Sequence, residues 1–109
     1  MERIARIKSL LDEKKAVDIA DYDLKDTDYF VDNVIVATTL ADKHGYALLD
    51  YLKEKLKPYE NFLGVDASDD WILIDLGDML IHLMSEEYRA KYQMDKFLEE
   101  IKQKKEKMV

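Results

Sequence analysis

The 109-residue chain has no cysteine, one proline and three glycines. Without cysteine it forms no disulfide, which fits a reducing compartment. So little proline and glycine argues against a linker or a low-complexity chain. The length corresponds to one domain.

Long hydrophobic runs are also missing. The longest apolar stretches are interrupted by Asp75, Asp78 and His82, and they fall well short of the ~20 residues needed to span a membrane. The first residues, Met1–Ile4, carry an acid at position 2, which is typical of neither a signal peptide nor a transit peptide. We therefore expect a soluble, cytoplasmic protein without membrane contact.

Motifs for catalysis and for metal or nucleotide binding are absent as well. Two histidines and no cysteine give no zinc-ligand spacing, and there is no G-x-S-x-G, P-loop or G-x-G-x-x-G. We expect no catalytic residue, no metal and no cofactor, and therefore no enzyme. Asp75 and Asp78 could form a carboxylate pair for acid–base chemistry or Mg²⁺, but the pattern favours turn acids that bind local backbone.

Charge is present in one sign more than the other, with a formal net charge of -7. Between Pro58 and Met84 there are acids and no Lys or Arg. Nucleic-acid binding draws on Lys and Arg, so direct DNA binding is not expected. A basic protein is the better electrostatic match, although the acids could equally serve solubility alone. Glu60 and Asp69 are expected at the rim of such a surface, acting through long-range steering.

Apolar periodicity alternates between helix and strand. Helical spacing predicts amphipathic helices over 2–14, over 41–57 with a stop at Pro58, after the N-cap Ser85 to Tyr92, and from about Met94. Strand patterns occur at 16–24, 34–38, 62–65, 71–75 and 79–84, the last two forming a hairpin at Gly77. The mixture predicts an α/β or α+β fold with a mixed sheet.

Two residues of this hairpin allow two interpretations each. His82 shares a strand face with Leu80 and Met84, which is typical of a structural or interface histidine rather than a catalyst. Trp71, preceded by Asp69 and Asp70, is either a core anchor or an interface anchor rimmed by acids.

The hairpin also carries a resemblance. Asp70–Met84 reads D-W-I-L-I-D-L-G-D-M-L-I-H-L-M, which resembles the hallmark segment of the ribosomal silencing factor family, also called Iojap-like. The run E-E-Y-R-A-K-Y-Q-M-D-K from Glu86 is similar to the family's next motif, and the likeness runs in order from about Asp18 to Leu98. The chain departs from the family at Thr39–Asp42, where a Gly-Thr-Ser-Ser turn is usual.

The resemblance implies a fold and a function. The expected fold is a mixed sheet of about five strands flanked by helices, with nucleotidyltransferase-like topology, in a domain over 1–98 followed by a charged extension over 99–109. The family binds the large ribosomal subunit through the ribosomal protein numbered fourteen, blocks joining of the small subunit and represses translation when nutrients are scarce. Free members are homodimers. The alternative is a nucleotide-binding protein or an adaptor dimer on the same fold.

Partner-binding residues are carried over from the family by position. They are Trp71, Asp75, Leu76, Asp78, His82, Met84, Lys43, His44 and Tyr92.

Overall fold

The structure is a computed structural model that describes residues 2–107, with side chains up to residue 104. Its helices are α1 (Arg3–Glu13), α2 (Asp42–Leu56), α3 (Glu86–Lys91) and α4 (Met94–Lys107). Its strands are β1 (Val17–Asp23), β2 (Asn33–Thr39), β3 (Gly64–Ala67), β4 (Trp71–Asp75) and β5 (Met79–Ser85). Over this range no helix combines the length and the apolar character that crossing a membrane requires.

The five strands form one mixed sheet in the order β1-β2-β5-β4-β3. β2 and β5 are parallel, and the other neighbouring pairs are antiparallel. With helices on both faces, this is an α+β fold, and the predicted five-stranded mixed sheet is confirmed.

The hairpin between β4 and β5 shows why its sequence folds as it does. Gly77 has a φ of 95°, a left-handed conformation that glycine adopts without steric cost. Its N–H donates to Oδ1 of Asp75 over 2.8 Å. Asp75 is thus a turn acid that holds local backbone, as the favoured interpretation predicted.

One strand lies later in the sequence than predicted. The strand expected over 62–65 is β3, which begins only at Gly64. Phe62 instead packs its side chain against the core cluster under the helices, and the Leu63 N–H donates to the carbonyl oxygen of Asp75 over 2.8 Å just before the strand begins.

One face of the sheet, the α1–α2 face, is closed by aliphatic packing. Ile7 and Leu11 of α1 and Leu48 and Leu52 of α2 are fully buried against it. Each such side chain contributes roughly 1.5–3 kcal/mol by leaving water.

The opposite face, the α4 face, is covered more sparsely. Met94 and Leu98 of α4 pack onto Val34 and Val36 of β2, but Trp71 at the β4 side remains only half-buried.

Helix α4 continues past Leu98 without a break. Ile101 packs against the same cluster as Leu98. The division into a domain over 1–98 and an extension over 99–109 stays a prediction.

Candidate partner-binding surface

Strand register separates the predicted binding residues into two groups. Trp71 lies opposite Met84 at one end of the β4–β5 hairpin, and Asp75 lies opposite Leu80 at the other. Four residue steps along a strand span roughly 13 Å. The residues that the sequence places in one segment therefore lie at two ends of the sheet.

The Trp71 end is open. The Trp71 indole is half-buried, and its ring centroid lies 5.1 Å from that of Tyr92, which is 48% exposed. Beside the indole is a hollow of about 290 Å³ that is lined by Asp66, Ser68, Trp71 and Leu73. An aromatic ring bordering an open, partly acidic hollow suits contact with another molecule.

His82 and Met84 lie beneath this surface rather than on it. They are 5% and 0% exposed, so in this conformation neither side chain can touch a partner. Instead, Nε1–H of Trp71 donates to Nδ1 of His82 over 3.0 Å. Burial lowers the pKa of His82 to about 4, and the imidazole is therefore neutral near pH 7.

The hairpin end is held within the chain. Oδ2 of Asp78 accepts from Nη1 of Arg3 over 2.8 Å, and this hydrogen bond lowers the pKa of the Asp78 carboxyl. Leu76 is only 6% exposed. Since Asp75 holds Gly77 and Asp78 holds Arg3, both carboxylates of the possible metal pair already have partners. Within residues 2–107, no group of three or more acidic or histidine side chains could hold a metal ion.

Glu60 corrects an expectation. It was predicted as an exposed rim acid, but its side chain is 6% exposed. Arg3 donates to its two carboxylate oxygens over 2.6 and 2.7 Å, in the two-pronged geometry that makes Arg–carboxylate pairs strong. Glu60 is therefore a structural acid that fixes the start of α1 to the segment before β3.

Lys43 and His44 lie at the start of α2. Nδ1 of His44 accepts from the N–H of Leu40 over 2.9 Å, and Nε2 lies 2.6 Å from the carbonyl oxygen of Lys14. His44 thereby ties the turn before α2 to the end of α1, whereas Lys43 is exposed.

A polar network that sequence reasoning missed fixes α4 to the sheet. Arg89 donates through Nε and Nη2 to the two carboxylate oxygens of Asp95, both over 2.8 Å. Its Nη1 donates to the Asp18 carbonyl over 2.6 Å and to Oγ1 of Thr38 over 3.0 Å, and Tyr22 donates to Asp95 over 2.5 Å. Arg89 lowers the pKa of Asp95, while burial raises that of Tyr22.

Two residues of this network lie in a sequence motif that the first comparison with the family already identified. Arg89 and Asp95 both belong to the run after Ser85 that carries part of the family resemblance. Their roles could not be read from it, because their partners Tyr22, Thr38 and Asp18 lie 51–73 positions away in the chain.

Comparison with known proteins agrees with the geometry. The sequence model of the family described as ribosomal silencing factor during starvation matches residues 1–108. Ribosomal silencing factor RsfS of Haemophilus influenzae is 30% identical over 100 residues, covering 88% of this chain and 97% of that protein. Mitochondrial assembly of ribosomal large subunit protein 1 of Mus musculus is 35% identical over 104 residues. That match covers 85% of this chain but only 43% of the mouse protein.

A solved structure is also similar. The crystal structure of a Chromobacterium violaceum protein aligns with a TM-score of 0.79 and 26% identity, covering 89% of this chain and 87% of that chain. The sheet order, the helices on both faces and the hairpin with its half-buried tryptophan define a small α+β protein of the Iojap-like type. The chain belongs to the ribosomal silencing factor family.

Proposed function

We propose that this protein binds the large ribosomal subunit in the cytoplasm through the basic ribosomal protein numbered fourteen. Seated there, it blocks joining of the small subunit and represses translation when nutrients are scarce, without catalysing a reaction. The observation that carries the proposal is the half-buried Trp71 beside an open hollow. The names of the relatives, a ribosomal silencing factor and a protein of large-subunit assembly, support the ribosome as the target.

Trp71 has the properties of an interface anchor. Its indole N–H is already bonded to His82, so a partner meets the hydrocarbon part of the ring and need not supply an acceptor. Half-buried Leu73 and exposed Tyr92 enlarge the apolar contact. Interfaces commonly depend on a few such aromatic residues surrounded by weaker contacts.

The acidic chain segment that carries the anchor fits a basic partner. Asp66 lines the hollow, and Asp69 and Asp70 precede the indole in the chain. No Lys or Arg occurs in the chain from residue 58 to residue 84. Complementary charge accelerates encounter and suppresses wrong partners, which suits a ribosomal protein rich in Lys and Arg.

The hairpin end contributes a second contact in this proposal. A standard interface buries roughly 800 Å² on each partner, enough to reach from Trp71 to Asp75 and Asp78. The Arg3 bond of Asp78 orients that carboxylate. Lys43 adds an exposed charge at the start of α2, while half-buried His44 and the buried side chains of Leu76, His82 and Met84 support the contacts from within.

In the absence of the ribosome we propose a homodimer. Phe30 is 73% exposed and lies 4.7 Å from Tyr29 between ring centroids, and Phe97, 46% exposed, lies 6.0 Å from Tyr29. Such an aromatic patch on a small domain favours association. Light scattering at micromolar concentration should give twice the monomer mass of 12.8 kDa; the monomer mass would contradict the dimer.

Co-sedimentation with separated ribosomal subunits tests the main proposal. The protein should sediment with large subunits, stay in the supernatant with small subunits, and lower the yield of joined ribosomes. Trp71→Ala should weaken binding at least thirtyfold, since truncating an anchor costs about 2 kcal/mol or more.

Tyr59→Ala is the matched control. Tyr59 is also an exposed aromatic residue, at 59%, but it lies under Arg6 of α1, away from the hollow. It should bind like the parent protein. Circular dichroism melting must show that Trp71→Ala is folded at the assay temperature; parent-like affinity of that folded variant would refute the site. Unchanged subunit joining at saturating parent protein would refute the function.

A further inference from the structure

Trp71 begins β4 at the open end of the sheet, and its ring centroid lies 5.1 Å from that of Tyr92 and 5.8 Å from that of His82. Its indole is half-buried and lies at the margin of the α4-face cluster. The Tyr92 ring beside it is itself 48% exposed. Apolar packing of this kind is not directional, whereas the indole N–H bond to Nδ1 of His82 over 3.0 Å specifies one orientation of the ring.

Apolar packing does not account for a histidine at position 82. His82 is 5% exposed and lies between Leu73 of β4 and Val36 of β2 in register. Its Nε2 atom is buried and makes no hydrogen bond within the described part of the chain. A buried donor without a partner is unfavourable, and the neighbouring positions on the same strand face, Leu80 and Met84, are apolar. A histidine at this position makes the fold less stable than an apolar residue would, and the bond that it gains is the one to Trp71.

The protonation state follows from that bond. Because Nδ1 accepts the hydrogen of Trp71 over 3.0 Å, the proton of the neutral ring lies on Nε2. The acceptor edge of the ring points at the indole, and no other described group competes for it.

We infer that His82 is a positioning residue that fixes the Trp71 indole, through Nε1–H···Nδ1, in the orientation that meets the partner. This inference rests on the proposed function. With the indole fixed beforehand, binding does not have to immobilise it. Ordering one such side chain corresponds to roughly twofold to tenfold in affinity.

The test exploits Trp71 being the only tryptophan, so the protein has a single indole N–H proton resonance. His82→Leu removes the acceptor, whereas His82→Asn places an oxygen close to the Nδ1 position. We expect His82→Leu to move the indole resonance away from its bonded position and to bind large subunits twofold to tenfold more weakly, without a lower melting temperature. His82→Asn should retain most of the parent shift and affinity.

Leu80→Met is the matched control, because Leu80 lies on the same strand face as His82 but pairs with Asp75 rather than with Trp71. It should leave the resonance and the affinity unchanged. An unmoved indole resonance in His82→Leu would overturn the inference, and so would a moved resonance with parent-like affinity. If His82→Leu fails to fold, His82→Asn decides: a retained bonded shift supports the inference and a lost one overturns it.

Failure of the proposed function would look different. In that case the parent protein itself would not sediment with large subunits. The indole resonance would still show whether His82 positions Trp71, because that measurement needs no ribosome.

Discussion

The two faces of the sheet are closed in different ways. On the α1–α2 face, two helices meet the strands through fully buried aliphatic side chains such as Ile35, Leu52 and Ile81. On the α4 face, one long helix covers the β1–β2 side, polar bonds fix it there, and Trp71 at the β4 side stays half-open. The first arrangement serves stability, and the second leaves surface for a partner.

The two faces also differ in where their bonded polar groups lie. A buried polar group is unfavourable unless it is hydrogen-bonded, and on the α1–α2 side the Arg3–Glu60 pair ties the start of α1 to the segment before β3. The Arg89 network and the Trp71–His82 pair both lie on the α4 side of the fold. Binding sites tend to occupy the less tightly packed part of a domain.

The largest expected effect compares one leucine from each face. Leu52→Ala should lower the free energy of unfolding by about 2–5 kcal/mol, because it leaves a cavity in a fully buried cluster. Leu73→Ala, half-buried beside Trp71, should cost about 1 kcal/mol. Urea unfolding followed by circular dichroism measures both. Equal losses would show that the two faces are packed equally tightly and would break the comparison.

A pH effect of intermediate size comes from the α4 face. Burial lowers the pKa of His82 from its ordinary 6.5 to about 4. Between these two pH values His82 is protonated in the unfolded chain but stays neutral in the folded chain. The free energy of unfolding is therefore highest above pH 6.5 and decreases as the pH falls towards 4. The loss should reach roughly 3 kcal/mol at most.

Urea unfolding at a series of pH values from 7 to 4.5 measures this loss, with His82→Asn as the control. Asp78 and Asp95 have pKa values lowered from 3.8, and their contributions are lost only at more acid pH. His82→Asn should therefore abolish most of the slope in this window. If the free energy of unfolding of His82→Asn still falls between pH 7 and 4.5, the pH dependence comes from other groups.

The secondary structure and the hairpin could be predicted from the sequence because their causes are local. Gly77 between two acids predicts a tight turn, and the spacing of Leu48, Leu52 and Leu56 predicts α2. The five-stranded mixed sheet needed the family resemblance as well, since periodicity does not order the strands.

The candidate site was harder to predict because register and partners are not local. A segment that runs from Asp70 to Met84 looks like one site, yet its two strands place Trp71 and Asp75 at opposite ends of the sheet. Glu60 looked like a surface acid because nothing near it in the chain predicts Arg3 as its partner, 57 positions away. Pairings over such distances are decided by the assembled fold.

The smallest expected loss of stability comes from the polar bonds that attach α4 to the sheet, and it tests whether the α4 face depends on them. Arg89→Ala removes four donated hydrogen bonds and should cost about 2 kcal/mol. The cost stays below that of breaking a fully buried pair because the Asp95 side chain is 46% exposed. Arg89→Lys should recover little, since an ammonium group cannot reproduce the planar two-pronged contact.

Lys8→Ala provides the matched control for Arg89. Lys8 pairs with Asp21 over 2.8 Å, but their side chains are 39% and 35% exposed, so its loss should cost less than about 0.5 kcal/mol. Urea unfolding compares the variants, and hydrogen exchange locates the effect. Arg89→Ala should raise exchange in α4 while the amides of α2 keep their protection relative to global unfolding. If Arg89→Ala costs no more than Lys8→Ala, apolar contacts such as Leu98 hold α4 by themselves, and both faces are then closed by the same means.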